Sequence, residues 1–319
     1  MKEIVIEVND AGQRLDRFLK KYLCNLPLSG VYKCIRKDIK VNGKREKEEY
    51  MLKEGDILSL YVSDLDFDAW TKKKERRKAK RQFTIAYEDD DMIVVCKPFG
   101  LLVHGDKTEK KDTLANQVVD YLIEEGSYNP REKTFVPSPV HRLDRNTTGL
   151  VVFGKTAESL RELSAMFREE HSSRIHKYYY TIVHGQLKEE MHLKNKLLKD
   201  EERNKGIVLK EDDPRGKYIE TIVRPIYAAK NYSLVEVELV TGRSHQIRAH
   251  LASIKHPLVG DTKYGGKEIS SKQGTWSLGR TTQALHAARL IIDDKEFTAP
   301  LPIAWRSMQI DLLGDEIVK

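Results

Sequence analysis

The spacing of apolar residues along the chain switches between about two and about 3.6, and each switch marks an element. Ile4, Val5, Ile6 and Val8 predict a short strand that leaves through an Asn9-Asp10-Ala11-Gly12 turn. Leu15, Phe18, Leu19 and Leu23 then fall at helical spacing, with Arg14, Arg17, Lys20 and Lys21 elsewhere on the surface. Ser29 is placed to cap a second helix through Val31, Tyr32 and Ile35, ending near Lys37-Asp38. Ile39 to Lys44 reads as a strand entering an Asn-Gly turn, and Asp56 to Val62 alternates like another. Beyond Arg81, Phe83–Tyr87 and Met92–Cys96 predict a hairpin, and Asp112 or Thr113 starts a helix with Leu114, Val118, Tyr121 and Leu122 on one face. Leu150–Gly154 is a buried strand, and a helix from Thr156 packs Ala157, Leu160, Leu163 and Phe167. Lys177–Gly185 is a strand with Lys177, Tyr179, Thr181 and Val183 on one face. Residues 188 to 217 lack a clean period and predict only turns and short strands. Tyr218–Ile226 and Tyr232–Leu239 alternate again, and a helix from His245 packs Ile247, Leu251 and Ile254.

Composition bounds the possibilities without choosing among them. At 319 residues, 39% of them hydrophobic, the chain has length for about two domains and material for a core. No run approaches the roughly 18 apolar residues of a membrane span, and the acidic start is unlike a signal peptide, so a cytoplasmic protein is expected. Cys24, Cys34 and Cys96 have no CxxC spacing, which argues against a zinc site or a disulfide framework.

Charge changes the picture once it is located. Residues 1–81 hold 21 Lys/Arg and 14 Asp/Glu, while residues 82–319 hold 35 of each, so the whole excess of +7 is N-terminal. Within it the run KKKERRKAKR, Lys72 to Arg81, carries eight basic residues and one acid between two periodic regions. These shifts divide the chain into a domain at 1–63, a basic linker at 64–82 and a larger domain at 83–319. A polyanion such as RNA is the economical partner for so asymmetric a charge.

The chemistry concentrates in His141-Arg142-Leu143-Asp144-Arg145-Asn146-Thr147-Thr148-Gly149, followed at once by the apolar Leu150–Phe153. One carboxylate lies between two arginines beside turn-prone residues, so the loop sits at the end of a buried strand. A carboxylate kept ionised there suits a nucleophile or base better than an acid. A surface Arg-Asp-Arg ion pair is the competing reading.

Two resemblances bear on that choice. "RLDRFLKKYL", "LPLSGVYKCIRKDIKVNGKR" and "LKEGDILSLYV", within residues 13–62, resemble the S4-type RNA-binding domain. That resemblance implies RNA contacts from Arg14, Lys33, Arg36, Lys37, Lys40, Lys44 and Arg45. "HRLDRNTTGLVVFGK", "KYYYTIVHG" and "TGRSHQIRAHLASIKHPLVGD", with "DMIVVCKPFGLLVH" before them and "LHAARL" and "APLP" after, resemble the RluA-type pseudouridine synthases over residues 83–306. Thr148, Ser244 and Ala249 depart mildly from the family's usual residues, and none of the three removes a reactive group.

The fold so implied is α+β, with a central mixed, mainly antiparallel sheet flanked by helices, plus a small N-terminal α/β S4-type domain. The implied reaction breaks the bond from ribose C1′ to uracil N1, turns the retained base and bonds C1′ to C5, with no cofactor. By resemblance Asp144 is the essential carboxylate, Arg248 its basic partner and Tyr179 the aromatic that stacks on the uracil. Arg142 braces the gap left by the extruded nucleotide and Arg145 is available for phosphate. Lys97-Pro98 shapes the rim, and His245 and His250 are structural or RNA-facing. The expected substrate is large-subunit ribosomal RNA, met by a monomer with no membrane partner. The alternatives are a transfer-RNA substrate, or a non-catalytic RNA-binding or ribosome-assembly factor that keeps the fold. Metal-dependent RNA hydrolysis lacks the carboxylate cluster it needs.

Overall fold

In the computed structural model, residues 1–72, 78–130, 132, 134–169, 172–266 and 282–314 are described below; the middle of the basic run lies outside them. The first unit comprises β1 (Lys2–Val5), α1 (Leu15–Tyr22), α2 (Leu28–Lys37), β2 (Ile39–Val41), β3 (Ile57–Leu60) and α3 (Asp64–Thr71). Its antiparallel sheet runs β1-β3-β2, and the apolar stripe of α1, Leu15, Phe18 and Leu19, is fully buried against it. Asn42 and Gly43 both have positive φ, as the two-residue turn after β2 requires.

Two boundaries differ from expectation. Ser29 lies inside α2 and does not cap it: extended Pro27 precedes the helix, and its carbonyl already accepts from Val31 N at 3.1 Å. Residues 64–71, expected to begin the linker, form α3, capped by Ser63 and packed through Phe67 and Trp70 on the small core. Asn25 secures its end by donating to the carbonyls of Ala69 and Lys72, at 2.9 and 2.8 Å. Leu65, Phe67 and Ala69 alternate with three aspartates, which hides a helix whose packing rests on one i, i+3 pair.

The second unit contains β4 (Thr84–Glu88), β5 (Met92–Lys97), α4 (Leu114–Glu124), β6 (Ser138–Pro139), β7 (Thr148–Gly154), α5 (Ala157–Arg168), β8 (Ile175–His184) and β9 (Met191–Asp200). It continues with β10 (Lys205–Leu209), β11 (Lys217–Ala228), β12 (Tyr232–Leu239), α6 (Gln246–Ser253), β13 (Leu285–Ile292), β14 (Lys295–Thr298) and α7 (Ile303–Leu313). The sheet runs β10-β9-β11-β12-β8-β13-β7-β5-β4, with β14 on β13 and β6 on β7. The pair β7 and β13 is parallel and the other described pairs are antiparallel, so the sheet is mixed and mainly antiparallel. One face packs Ile93, Val95, Val151, Val183, Val223 and Val237 with residues of α4 and α6. The other carries α5, through Leu163 and Met166, and α7, through Trp305 and Met308. Strand β7 is buried along its whole length, which is why its sequence is continuously apolar.

Residues 191–209 form a long hairpin, β9 and β10, where only turns and short strands were expected. The inward face of β9 is Leu193, Asn195 and Leu197. The middle position breaks the apolar alternation because Asn195 is bonded to His250 Nε2 at 3.0 Å and to the Leu209 carbonyl at 3.0 Å.

The two units touch through the turn at residues 9–11. Asn9 Oδ1 accepts from Ala157 N at 3.1 Å, Arg161 donates to the Ala11 carbonyl at 3.0 Å, and the Thr134 hydroxyl bonds the Asp10 carboxylate. The C-terminal end of the basic run is committed to α4: Lys78 pairs with Glu124, and the Arg81 guanidinium lies 4.7 Å from the Tyr121 ring centre.

Gly149 sits at the parallel junction of β7 with β13. Its φ is +109°, and a Cβ there would meet the Ala287 carbonyl oxygen at 2.1 Å. Gly149→Ala must therefore push β7 away from β13, and a loss of at least about 2 kcal/mol is expected in denaturant unfolding. An unchanged midpoint and slope would show that the junction yields without cost.

Candidate active site

The loop between β6 and β7 is fixed from both sides before it reaches Asp144. The His141 ring stacks on Phe167 with centroids 4.7 Å apart, and its Nε2 accepts from Val152 N at 3.2 Å. Burial, aided by the Lys177 charge, pushes His141 down to about 3, so its nitrogen is free to accept. Leu143 is buried in the main core. Thr147 N donates to the Asp144 carbonyl at 3.1 Å, closing the turn that presents the Asp144 side chain. Thr148 holds the strand side: its hydroxyl lies 2.7 Å from His286 Nδ1, while His286 Nε2 faces the Ala299 carbonyl at 3.3 Å. A carbonyl only accepts, so Nε2 carries the proton and Thr148 donates to Nδ1.

Lys97 belongs under this loop, not at the rim. It is 1% exposed, and its ammonium donates to the carbonyls of Pro98, Leu101 and Arg145 at 2.9, 2.8 and 2.9 Å. Burial pushes it down to about 7, with the Asp144 charge opposing. Three carbonyls match the three donors of an ammonium, so the protonated form is the one that satisfies the site.

From the other side of the cavity, α6 supplies the guanidinium. Gln246 clamps the start of the helix: its side chain accepts from Thr241 Oγ1 at 2.9 Å and donates to the Glu220 carbonyl and to Thr221 Oγ1, each at 3.0 Å. His250, one turn on, is wedged between Thr221 and Asn195, which makes it structural. Arg248, two positions from each, projects instead toward the loop. Its Nη1 donates to Asp144 Oδ2 at 2.9 Å, while Nε and Nη2 donate to Asp261 Oδ2 and Oδ1 at 2.6 and 2.9 Å. Burial opposes the Arg248 charge, but the two carboxylates outweigh it and raise the guanidinium's pKa. His245, expected to be structural or RNA-facing, is left-handed at φ 58° and points Nε2 to within 3.7 Å of Asp144 Oδ2. Its Nδ1 lies 3.0 Å from the hydroxyl of Tyr264, whose ring centre is 5.1 Å from the Arg248 guanidinium.

Asp144, Arg248 and Tyr179 thus line one cavity of about 430 Å³, with Arg142, Lys177 and Leu285. Tyr179 is 7% exposed, and burial together with the Asp144 charge pushes its phenol well above the usual range. Arg142 is exposed at the edge, whereas Arg145 is tied to Asp106 at 3.5 Å and to Thr108 at 3.2 Å. Of the residues in the first unit, Lys33, Arg36, Lys37, Lys44 and Arg45 are exposed and Lys40 is half-buried. Arg14 is engaged by Asp16 through two hydrogen bonds of 3.0 and 3.1 Å. None of these seven lines the cavity. Sequence reasoning missed Asp261 and placed Lys97 at the rim instead of beneath the loop. The signal for Asp261 was the Gly260-Asp261 pair closing the third motif; nothing local reveals that Lys97 is buried.

The model of the RNA pseudouridylate synthase family matches residues 91–253. The ribosomal large subunit pseudouridine synthase C of Vibrio parahaemolyticus is 33% identical over 289 residues, 89% of this chain and 86% of that protein. The Escherichia coli protein of the same name is 32% identical over 307 residues, 94% and 89% of the two chains. Among solved structures, human RNA pseudouridylate synthase domain containing 4 superposes with a TM-score of 0.56 at 21% identity, over 72% of this chain and 92% of that one. Human RNA pseudouridylate synthase domain containing 1 gives 0.50 at 22% identity, over 69% and 83%. With the family model spanning half the chain and relatives matching nearly all of it, the chain belongs to the RNA pseudouridine synthases.

Proposed function

We propose that this pseudouridine synthase isomerises uridines in large-subunit ribosomal RNA, as a cytoplasmic monomer, with Asp144 as its essential carboxylate. The observation that carries the reading of the site is that Asp144, the one carboxylate lining the nucleotide-sized cavity among the described residues, is held by Arg248 beside a buried tyrosine. A hydrolytic glycosidase needs two carboxylates, one of them to activate water or protonate the leaving group. An isomerase that must return the same base to the same sugar needs one, with water kept out. Asp144 either adds to C1′ or takes a proton from C2′. Tyr179 stacks on the uracil and keeps the detached base in the cavity. Extruding a stacked nucleotide costs a few kcal/mol, and Arg142 at the edge fits the gap it leaves. Arg145 serves a phosphate only after exchanging Asp106 for it. Support for ribosomal RNA comes from the two bacterial relatives, aligned along most of their length. The test is chemical mapping of pseudouridine in large-subunit ribosomal RNA and in transfer RNA treated with the purified protein. Modification of transfer RNA alone would reassign the substrate.

The first unit is proposed as the RNA-binding module, using Lys33, Arg36, Lys37 and Lys40 on α2 and β2 with Lys44 and Arg45 beyond them. Phosphate contacts release counterions, so replacing the first four by Gln should make the slope of log affinity against log salt shallower by about 2 to 3. An unchanged slope would remove α2 from the interface.

A further inference from the structure

Lys177 is a cation that the site, as described, leaves without a task. It sits two residues before Tyr179 on β8, on the same face of the strand, and lines the same cavity as Asp144 and Tyr179. The strand alternation brings both side chains to one wall. The Lys177 side chain makes no hydrogen bond or ion pair among the described residues, and the cavity's nearby carboxylate, Asp144, is already taken by Arg248. Gly242 lies beside it, where a Cβ would sit 3.8 Å from Lys177 Nζ, at ordinary contact distance. Its titratable neighbour in the cavity wall, His141, accepts from Val152 N and offers it no acceptor on that nitrogen, and Lys199 and Arg243, which also line the cavity, carry charge of the same sign. Burial disfavours the ammonium, and no side chain among the described residues compensates it. A half-buried cation held beside a substrate cavity without a partner is a group whose partner arrives with the substrate.

We propose that Lys177 donates a hydrogen bond to a carbonyl oxygen of the target uracil and stabilises the negative charge that the base carries while it is detached from the ribose. This rests on the reading of the Asp144 and Tyr179 cavity as the uridine site. When the C1′–N1 bond breaks, its electron pair leaves with N1 and spreads over the ring to the carbonyl oxygens. The ribose is balanced in either of two ways: C1′ bonds to an Asp144 oxygen, or C2′ gives its proton to Asp144 and the C2′–H pair closes a C1′–C2′ double bond. Formation of the C1′–C5 bond reverses that step, the proton lost from C5 is replaced by one at N1, and no proton or electron is gained overall. Lys177 keeps its own proton throughout. It acts while uracil is anionic, which is the charge a fixed donor in a water-poor cavity stabilises most.

The test is single-turnover conversion at saturating RNA, on a large-subunit ribosomal RNA transcript that the wild type modifies, with uridine or 5-fluorouridine at the target. Lys177→Met is expected to slow the uridine reaction about 10²- to 10³-fold while RNA affinity stays within about threefold, and Lys177→Arg to retain most of the rate. On 5-fluorouridine, whose base is the more acidic leaving group, loss of the target nucleotide should show a deficit at least about tenfold smaller. Should Lys177→Met not fold, Lys177→Gln, which is one bond shorter and keeps a hydrogen-bond donor but not the charge, is held to the same comparison. The proposal is overturned by a wild-type rate in the uncharged variant, by equal loss on both bases, or by a loss confined to affinity that disappears at saturation. Failure of the wild type to modify any transcript overturns the reading of the site itself.

Discussion

Asp144→Asn is expected to bind RNA like the wild type and to form no detectable pseudouridine, a rate loss of about 10⁴-fold or more. The substitution keeps the shape of the side chain and one oxygen for Arg248 Nη1, which lies 2.9 Å away, so the loop and α6 have no reason to move. What it removes is the nucleophile or base, and among the described residues the cavity holds no second carboxylate able to replace it: Asp261 is 1% exposed and faces the far side of the guanidinium. Losses of that size accompany removal of a group that the chemistry itself uses, as opposed to one that only supports it. The measurement is paired: filter binding of a large-subunit ribosomal RNA fragment, and chemical mapping of pseudouridine in the same reactions. Activity within a hundredfold of wild type would show that Asp144 is a structural member of an ion pair.

Arg248→Met is expected to lower stability by about 3 to 5 kcal/mol, because it leaves a buried carboxylate without its partner. Arg248 bridges two acids, and the two are not equivalent. The side chain of Asp261 is 1% exposed and receives two of the three hydrogen bonds, while that of Asp144 is 28% exposed and receives one. The stability of the triad therefore lies on the Asp261 side and the chemistry on the Asp144 side. That separation predicts the behaviour of the double variant, Arg248→Met with Asp261→Leu. With both buried charges gone the penalty disappears, and most of the stability should return. Activity should not return, since Asp144 has lost the donor that orients it. Denaturant unfolding and single-turnover modification read the two effects independently. A double variant that recovers both would make Arg248 a folding residue with no part in holding Asp144.

Much of the fold was legible before any coordinate was known, and the places where it was not share a cause. Strand β7 read correctly because both its faces are covered, and the helices after Thr113 and Thr156 read correctly because a side chain caps each. β9 did not, because Asn195 stands in its inward row and is satisfied by His250 from a helix 55 positions away. α3 did not, because Leu65, Phe67 and Ala69 alternate with aspartates and the Asn25 side chain that secures its end lies 44 positions upstream. Periodicity reports burial only where the buried face is apolar; a buried amide with a distant partner looks like a loop.

The candidate site divides along the same line. By itself the sequence determined what is local: the turn-prone run that ends at Gly149, the strand it feeds, the alternation that puts Lys177 beside Tyr179, and the N-terminal excess of charge. Motif resemblance added the nomination of Asp144, Tyr179 and Arg248. Only the tertiary structure decided which charges are spent on each other. Arg145, adjacent to Asp144, is drawn off by Asp106; Arg14 is drawn off by Asp16; and Arg248, 104 positions from Asp144, is the arginine that holds it. Lys97, legible only as a lysine before a proline, is buried beneath the loop, and the Lys177 side chain has no hydrogen-bond or ion-pair partner among the described residues. The physical reason is that the strength of an ionic contact depends on separation and on the exclusion of water, and neither quantity is a property of position along the chain.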